Sequence, residues 1–228
     1  MVAKKSWKIL ITMGITVLCS LSVLTSCVRV LENKDFQNNE TVYQVAKGLT
    51  DSSIKEKQAI KKVAVVGYTN MNVRGSNKNI MNKALPLTNK ILEELGFEVV
   101  PVEKVMENSV YQSVGSKEAS WGWDFADGMR IMMMGNWGDY TLFLPVEDMN
   151  KVIEALGVDG VICMTSDFNG QKAELVYMTL HGKDQQQAGK AKLLWQGSLK
   201  SHFYHDSMSG VEVMNRAFQL LAARMSMD

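Results

Sequence analysis

Ala155-Leu156-Gly157-Val158-Asp159-Gly160-Val161-Ile162 holds the end of one element and the start of the next. Upstream of it, Met149, Val152, Ile153 and Leu156 recur at helical spacing, so residues 146–156 read as an amphipathic helix. Gly157 ends that helix, because glycine takes the left-handed conformation a helix terminus favours. Asp159-Gly160 then leads into an apolar run, residues 161–165, of the kind found in a strand covered on both faces. A helix feeding a buried strand through a short turn is the closing half of a parallel crossover.

The opening half lies near residue 60. Val63-Ala64-Val65-Val66-Gly67-Tyr68 reads as a first buried strand, and the Asn- and Gly-rich residues 69–79 as a loop. A helix follows with Ile91, Leu92 and Leu95 on one face and Gly96 at its end; Pro86 marks either its start or a kink. Residues 97–102 read as the second strand. After the central stretch, Asn169-Gly170 signals a two-residue hairpin leading into residues 173–180. His181-Gly182-Lys183-Asp184 starts another turn, and residues 185–190 form a polar loop. Leu193, Trp195, Gly197 and Leu199 alternate with Lys192, Gln196, Ser198 and Lys200, as in a half-exposed strand. Ser209 and Glu212 form a capping box for a last helix whose apolar stripe is Val211, Met214, Phe218, Leu221, Ala222 and Met225. The expectation is an α/β (α+β) fold: a mixed sheet of about five strands with flanking helices, in the order β-α-β-(insertion)-α-β-β-β-α.

The N-terminus reads as an address. Lys4, Lys5 and Lys8 precede an uncharged stretch, residues 9–24, too short for a spanning helix and suited to a signal peptide. It closes on Leu24-Thr25-Ser26-Cys27, which resembles the lipobox of bacterial lipoproteins. That resemblance implies residues 1–26 as signal peptide and Cys27 as the lipidation site. A diacylglyceryl group with an N-acyl chain anchors stably, since more than one buried chain suffices. Val28 rather than Asp follows the cysteine, which in enteric bacteria implies the outer membrane. Residues 27–60 are then the lipidated N-terminus and a polar tether, with a short helix over residues 41–49. Lys55, Lys57, Lys61 and Lys62, interrupted by Glu56, read as a solvated helix face.

Composition narrows the partners. The whole chain carries +1, and without residues 1–26 there remain 22 basic and 24 acidic side chains, about −2. That balance gives no electrostatic footprint for nucleic acid. Cys19 leaves with the signal and Cys27 carries lipid. Cys163 reads as a buried apolar residue, so no intramolecular disulfide is expected.

The phrases Lys62-Val63-Ala64-Val65-Val66 and Ala155-Leu156-Gly157-Val158-Asp159-Gly160-Val161-Ile162, in this order of elements, resemble the envelope lipoproteins related to the curli-secretion protein (CsgG-like). The TolB N-terminal domain and LpoB have similar folds. The resemblance covers residues 61–226 and implies an anticodon-binding-domain-like topology over a domain of residues 61–228. It also implies periplasmic binding or assembly roles. Its motifs are structural, so it transfers no catalytic residue, and the topology's name implies no RNA binding.

Residues 107–145 interrupt this domain as an aromatic, Met-rich, loop-like insertion. Trp121, Trp123, Phe125, Trp137 and Tyr140 are its candidate partner-binding residues, because Trp and Tyr concentrate at interfaces and long insertions often carry function. The alternative is that they cover an open sheet face. A membrane hairpin would need ~9–11 alternating residues per strand; residues 129–134 do not alternate, and Asp124, Asp127, Arg130 and Asp139 interrupt.

Catalytic patterns are not apparent. Gly67 and Gly75 lack phosphate-loop spacing, and there is no Cys-x-x-Cys or nucleophile elbow. His202 and His205 could ligate a metal together only if helical, and the segment reads as a loop. Met132-Met133-Met134 suits packing better than copper, because consecutive side chains diverge. The expectation is a non-enzymatic, lipid-anchored periplasmic protein of the envelope, without cofactor. It binds the membrane through Cys27 and another envelope protein through the insertion, with homo-oligomers as an option. The alternatives are an oligomeric CsgG-type secretion-channel subunit, and a metal-binding protein using His202 and His205.

Overall fold

The computed structural model describes residues 51–71, 78–114, 123–130, 133–137, 140–143, 146–168, 173–203 and 209–227. Its elements, in order, are helix α1 (Asp51–Gln58), strand β1 (Lys62–Met71), α2 (Lys78–Glu94), β2 (Glu98–Val99), α3 (Val102–Glu107) and α4 (Ser109–Ser113). Then come β3 (Trp123–Phe125), β4 (Met133–Trp137), β5 (Tyr140–Phe143), α5 (Val146–Leu156), β6 (Gly160–Phe168), β7 (Ala173–Lys183), β8 (Ala191–Phe203) and α6 (Gly210–Met227). The main sheet runs β2-β1-β6-β7-β8, with β3 also on β1, and β4–β5 form a separate ribbon. β1 is parallel to β2 and β6, while β6, β7 and β8 form an antiparallel meander. This is an α/β fold with a mixed sheet, one strand larger than expected because the insertion supplies β3.

The core follows from the apolar runs. Val63, Ala64, Val65, Val66 and Tyr68 of β1, and Val161, Ile162 and Cys163 of β6, are wholly buried. Phe218 of α6 meets the Tyr68 ring with centroids 6.5 Å apart, and α2 packs on α6. Gly96 and Gly157, at φ of 90° and 60°, end α2 and α5 as glycine permits. The capping box opens α6: the Ser209 N–H donates to Glu212 Oε2 at 2.6 Å, and the Glu212 N–H to Ser209 Oγ at 3.4 Å. Those bonds hold the Glu212 carboxyl below its usual range. Asp159 is the clasp of the parallel pair. Its Oδ2 accepts the N–H groups of Lys61 and Lys62 at 3.0 and 2.8 Å, and its own N–H donates to the Lys62 carbonyl at 2.8 Å.

Several boundaries differ from expectation, each for a local reason. The second strand shrinks to Glu98–Val99, because Pro101 has no N–H for a ladder and its φ of −54° suits the start of α3. α2 begins at Lys78 and passes through Pro86, where the Thr88 hydroxyl donates to the Leu85 carbonyl at 2.6 Å. β1 runs on through Thr69, Asn70 and Met71, read as loop from composition. His181 lies inside β7 rather than in a turn. The innermost described pair of β6 and β7 is Phe168–Ala173, and the turn expected at Asn169-Gly170 lies outside the described residues. α1 packs on β8, so residues 51–60 belong to the folded body rather than to the tether. Cys27, the signal segment and the helix expected over 41–49 lie outside the described residues. Among the described residues, no helix is long and apolar enough to cross a membrane.

β8 shows how a bulge defeats simple alternation. Its register against β7 steps from Leu180–Trp195 to His181–Leu193, leaving Leu194 as the extra residue. Leu194 is therefore buried while Leu193 is only half-buried. Trp195, fully buried, lays its indole over Gly197, where a Cβ would run into the ring. The ring is rigid and enclosed, so it must move as a body. Gly197→Ala should therefore cost about 2–3 kcal/mol of stability, as overpacking does, read as a lower urea midpoint at an unchanged m-value.

Candidate partner-binding site

The carboxyl end of β1 carries the site. There β1 continues into Thr69, Asn70 and Met71, with β6 on one side and β3 on the other. The register is Thr69–Phe125, Asn70–Asp124 and Met71–Trp123 across to β3, and Thr69–Thr165 and Asn70–Ser166 across to β6. Polar residues are at home in this buried stretch because they satisfy one another. The hydroxyls of Thr69 and Thr165 lie 2.8 Å apart, and Ser166 Oγ donates to Asn70 Oδ1 at 2.8 Å. All four residues are at most 5% exposed. These bonds tie β1 to β6 and fix the backbone at this end of the sheet.

A second set of contacts ties the segment after β3 to the helices. Asn82 of α2 grips Asp127 twice: its Nδ2 donates to Asp127 Oδ2, and its Oδ1 accepts the Asp127 N–H, both at 2.7 Å. Lys78 pairs with the same carboxylate, and its hydrogen bond, with that of Asn82, holds the Asp127 carboxyl below its usual range. Gly128, at φ 80°, lies against Met106 Sδ, so any other residue there would strain the backbone and push Met106 aside. Gln112 Nε2 donates to the Gly128 carbonyl at 2.9 Å.

Tyr111 of α4 is the deepest of these anchors. Its hydroxyl donates to the Val66 carbonyl at 2.7 Å and accepts the Arg130 N–H at 2.8 Å. Val66 is the bulged residue of β1, between the pairs Val65–Ile162 and Gly67–Cys163. β2 and β3 pair with β1 only at its two ends, so Tyr111 serves a carbonyl that the ladder leaves open. Arg130 Nε donates to the Val114 carbonyl at 2.6 Å. Burial pushes the Tyr111 hydroxyl well above the usual phenol range, so it stays protonated and donating. α4 is itself capped by Asn108, whose Oδ1 accepts the Tyr111 N–H at 3.0 Å.

The sequence-derived contact residues fall on this frame. Trp123 and Phe125 lie on β3, and Trp137 and Tyr140 face each other as a register pair of the β4–β5 ribbon. β4 runs close to β1 and β6, while its ribbon with β5 is a sheet of its own. Trp121 lies outside the described residues. The insertion is thus not a loop: it carries α4, β3, β4 and β5. β4 and β5 span five and four residues, about half the ~9–11 of a membrane-spanning β-strand. Sequence reading missed Asn82, Tyr111 and Arg130, whose roles depend on distant partners; only the Asn108 cap three residues before Tyr111 was a local signal.

The remaining candidates stand apart. His202 belongs to β8 rather than to a loop, and His205 lies outside the described residues. Among the described residues, no three His, Cys, Asp or Glu side chains gather as a metal site. Cys163 is wholly enclosed, and burial pushes its thiol up to about 12, so it is neither a ready nucleophile nor a ready ligand. His181 is 5% exposed on β7, where burial pushes its pKa down to about 4.

No protein-family model matches the sequence, and no curated protein does. Among solved structures, the chain is similar to PelC from Paraburkholderia phytofirmans, a dodecamer, at 8% identity and a TM-score of 0.38, over 82% of this chain and 97% of that one. A single-substitution variant of the same dodecamer is similar at 12% identity and a TM-score of 0.36, over 81% of this chain and 99% of that one.

Proposed function

We propose that this chain is a non-enzymatic, lipid-anchored protein of the bacterial envelope that holds one binding domain at a membrane, the outer one by the residue after Cys27. In this reading Cys27 carries the anchor, and the partner, another envelope protein, docks at the end of β1. One observation carries the binding half. Trp123 and Phe125 lie on β3 at the end of β1, followed by backbone that Asn82 and Tyr111 hold at Asp127 and Arg130, and Trp137 and Tyr140 pair in the ribbon whose β4 runs close to β1 and β6. A preorganised backbone lowers the ordering cost of binding, and aromatic anchors supply most of the energy at interfaces.

The test has two arms. Mass spectrometry of the mature protein should find Cys27 as its first residue, carrying diacylglyceryl and acyl groups; an unmodified Cys27 removes the anchor. Crosslinking in intact cells should capture an envelope protein with the wild type and lose it with Trp123→Ala/Trp137→Ala. An unchanged adduct from a folded variant would move the contact surface elsewhere.

A further inference from the structure

We infer that α1 is a detachable strap, docked on the sheet by a few polar clips, whose release lengthens the chain upstream of β1. The helix reads Asp-Ser-Ser-Ile-Lys-Glu-Lys-Gln, with one apolar residue in eight, so it has no hydrophobic face to bury. A helix of that length is not stable alone. Two of its attachments are polar. Glu56 pairs with Lys192 of β8, with both carboxylate oxygens 3.1 Å from Nζ. Lys57 Nζ donates to the Met225 carbonyl at 2.8 Å, in the last turn of α6, where the helix dipole favours a cation.

The hinge that follows is built to seat one side chain. Gly160 and Gly182 pair across β6 and β7, and a Cβ on either would come within 3.3–3.4 Å of Ile60. Ile60 therefore lies against the two paired glycines alongside Leu180 and Leu194, which a Cβ there would meet first. Asp159 then fixes Lys61 and Lys62, so the chain beyond Ile60 belongs to the sheet whatever α1 does. Solvent-open grooves of about 270 and 370 Å³ flank Ile60. Phe97 and Met225 line the first, and Val158 and Leu194 the second. α1 and its hinge are thus flanked by two solvent-open grooves, a setting that favours local unfolding.

Residues 51–58, fully extended, span about 26–29 Å, against about 12 Å as the eight-residue helix. Undocking with unwinding therefore adds about 15 Å of reach. In the proposed function, on which this consequence alone rests, that reach separates the domain from the lipid on Cys27. The strap itself does not depend on the lipid.

Hydrogen exchange read by mass spectrometry on the full chain tests it. Peptides covering residues 51–60 should exchange at least about tenfold faster than those of β6 and β7, through an opening that leaves the sheet protected. Glu56→Gln should speed the α1 peptides a further roughly two- to five-fold and leave β6 and β7 unchanged. Exchange of α1 in step with the core strands, or a Glu56→Gln effect shared equally by both, overturns the inference. The mass of the N-terminus separately decides whether the added reach acts on a lipid anchor.

Discussion

Tyr111→Phe should lower the unfolding free energy by about 3 kcal/mol, although it removes one oxygen atom. That oxygen serves two buried backbone groups at once, the Val66 carbonyl in the β1 bulge and the Arg130 N–H. A buried group left without its partner costs about 1–3 kcal/mol, and here two are left together. The phenylalanine ring fills the same space, so there is no cavity contribution to confuse the result. The loss should also be directional. Arg130 follows β3 by five residues, so residues 123–130 should lose exchange protection before the meander does. Tyr177→Phe is the control: that side chain is only half-buried, and its change should stay within about 0.5 kcal/mol. A Tyr111→Phe urea midpoint equal to that of the wild type would mean that the hydroxyl does not hold the bulge.

His181 should make the fold acid-sensitive well above the carboxylate range. Its folded-state pKa lies near 4 against 6.5 unfolded, because the buried imidazole resists charging. Below pH 6.5 the unfolded chain binds a proton that the folded chain refuses, so stability falls as pH drops. The contribution is intact above pH 6.5 and is lost progressively until about pH 4, where the folded state also protonates. The span of about 2.5 pH units corresponds to about 3 kcal/mol, and at 5% exposure little solvent screening reduces it. His181→Gln cannot titrate. Its stability, whatever its value at pH 7.5, should fall less steeply between pH 6.5 and 4 than that of the wild type. Parallel curves would assign the acid loss to other groups.

How much of this was legible depended on whether the cause was local. Gly96, Gly157 and the Ser209–Glu212 box act within a few residues, and the chain stops and starts helices where they stand. The parallel-then-meander order followed from apolar runs and turn residues in the same way. Thr69 and Asn70 could not be read as strand, because Thr165 and Ser166, which satisfy them, lie nearly a hundred residues away. Leu194 is indistinguishable from Leu193 without the bulge that β7 imposes. The aromatic positions were visible by composition, but their division between β3 and the β4–β5 ribbon is a matter of non-local register. The anchors beneath them were invisible for the same reason: Tyr111 and Asn82 declare nothing until the chain brings Val66 and Asp127 to them.

The Asp159 clasp also sets a clock. The Lys62 N–H waits for a carboxylate 97 residues further along the chain. On a ribosome adding about 5–20 residues per second, β1 therefore emerges about 5–20 seconds before the strand it must lie against. During that interval the most apolar strand of the sheet has no native neighbour on the β6 side, although β2 and β3 can already reach its other edge. Newly made protein is thus most exposed to aggregation, and to capture by chaperones, through Val63-Ala64-Val65-Val66 and before Gly160 has been added.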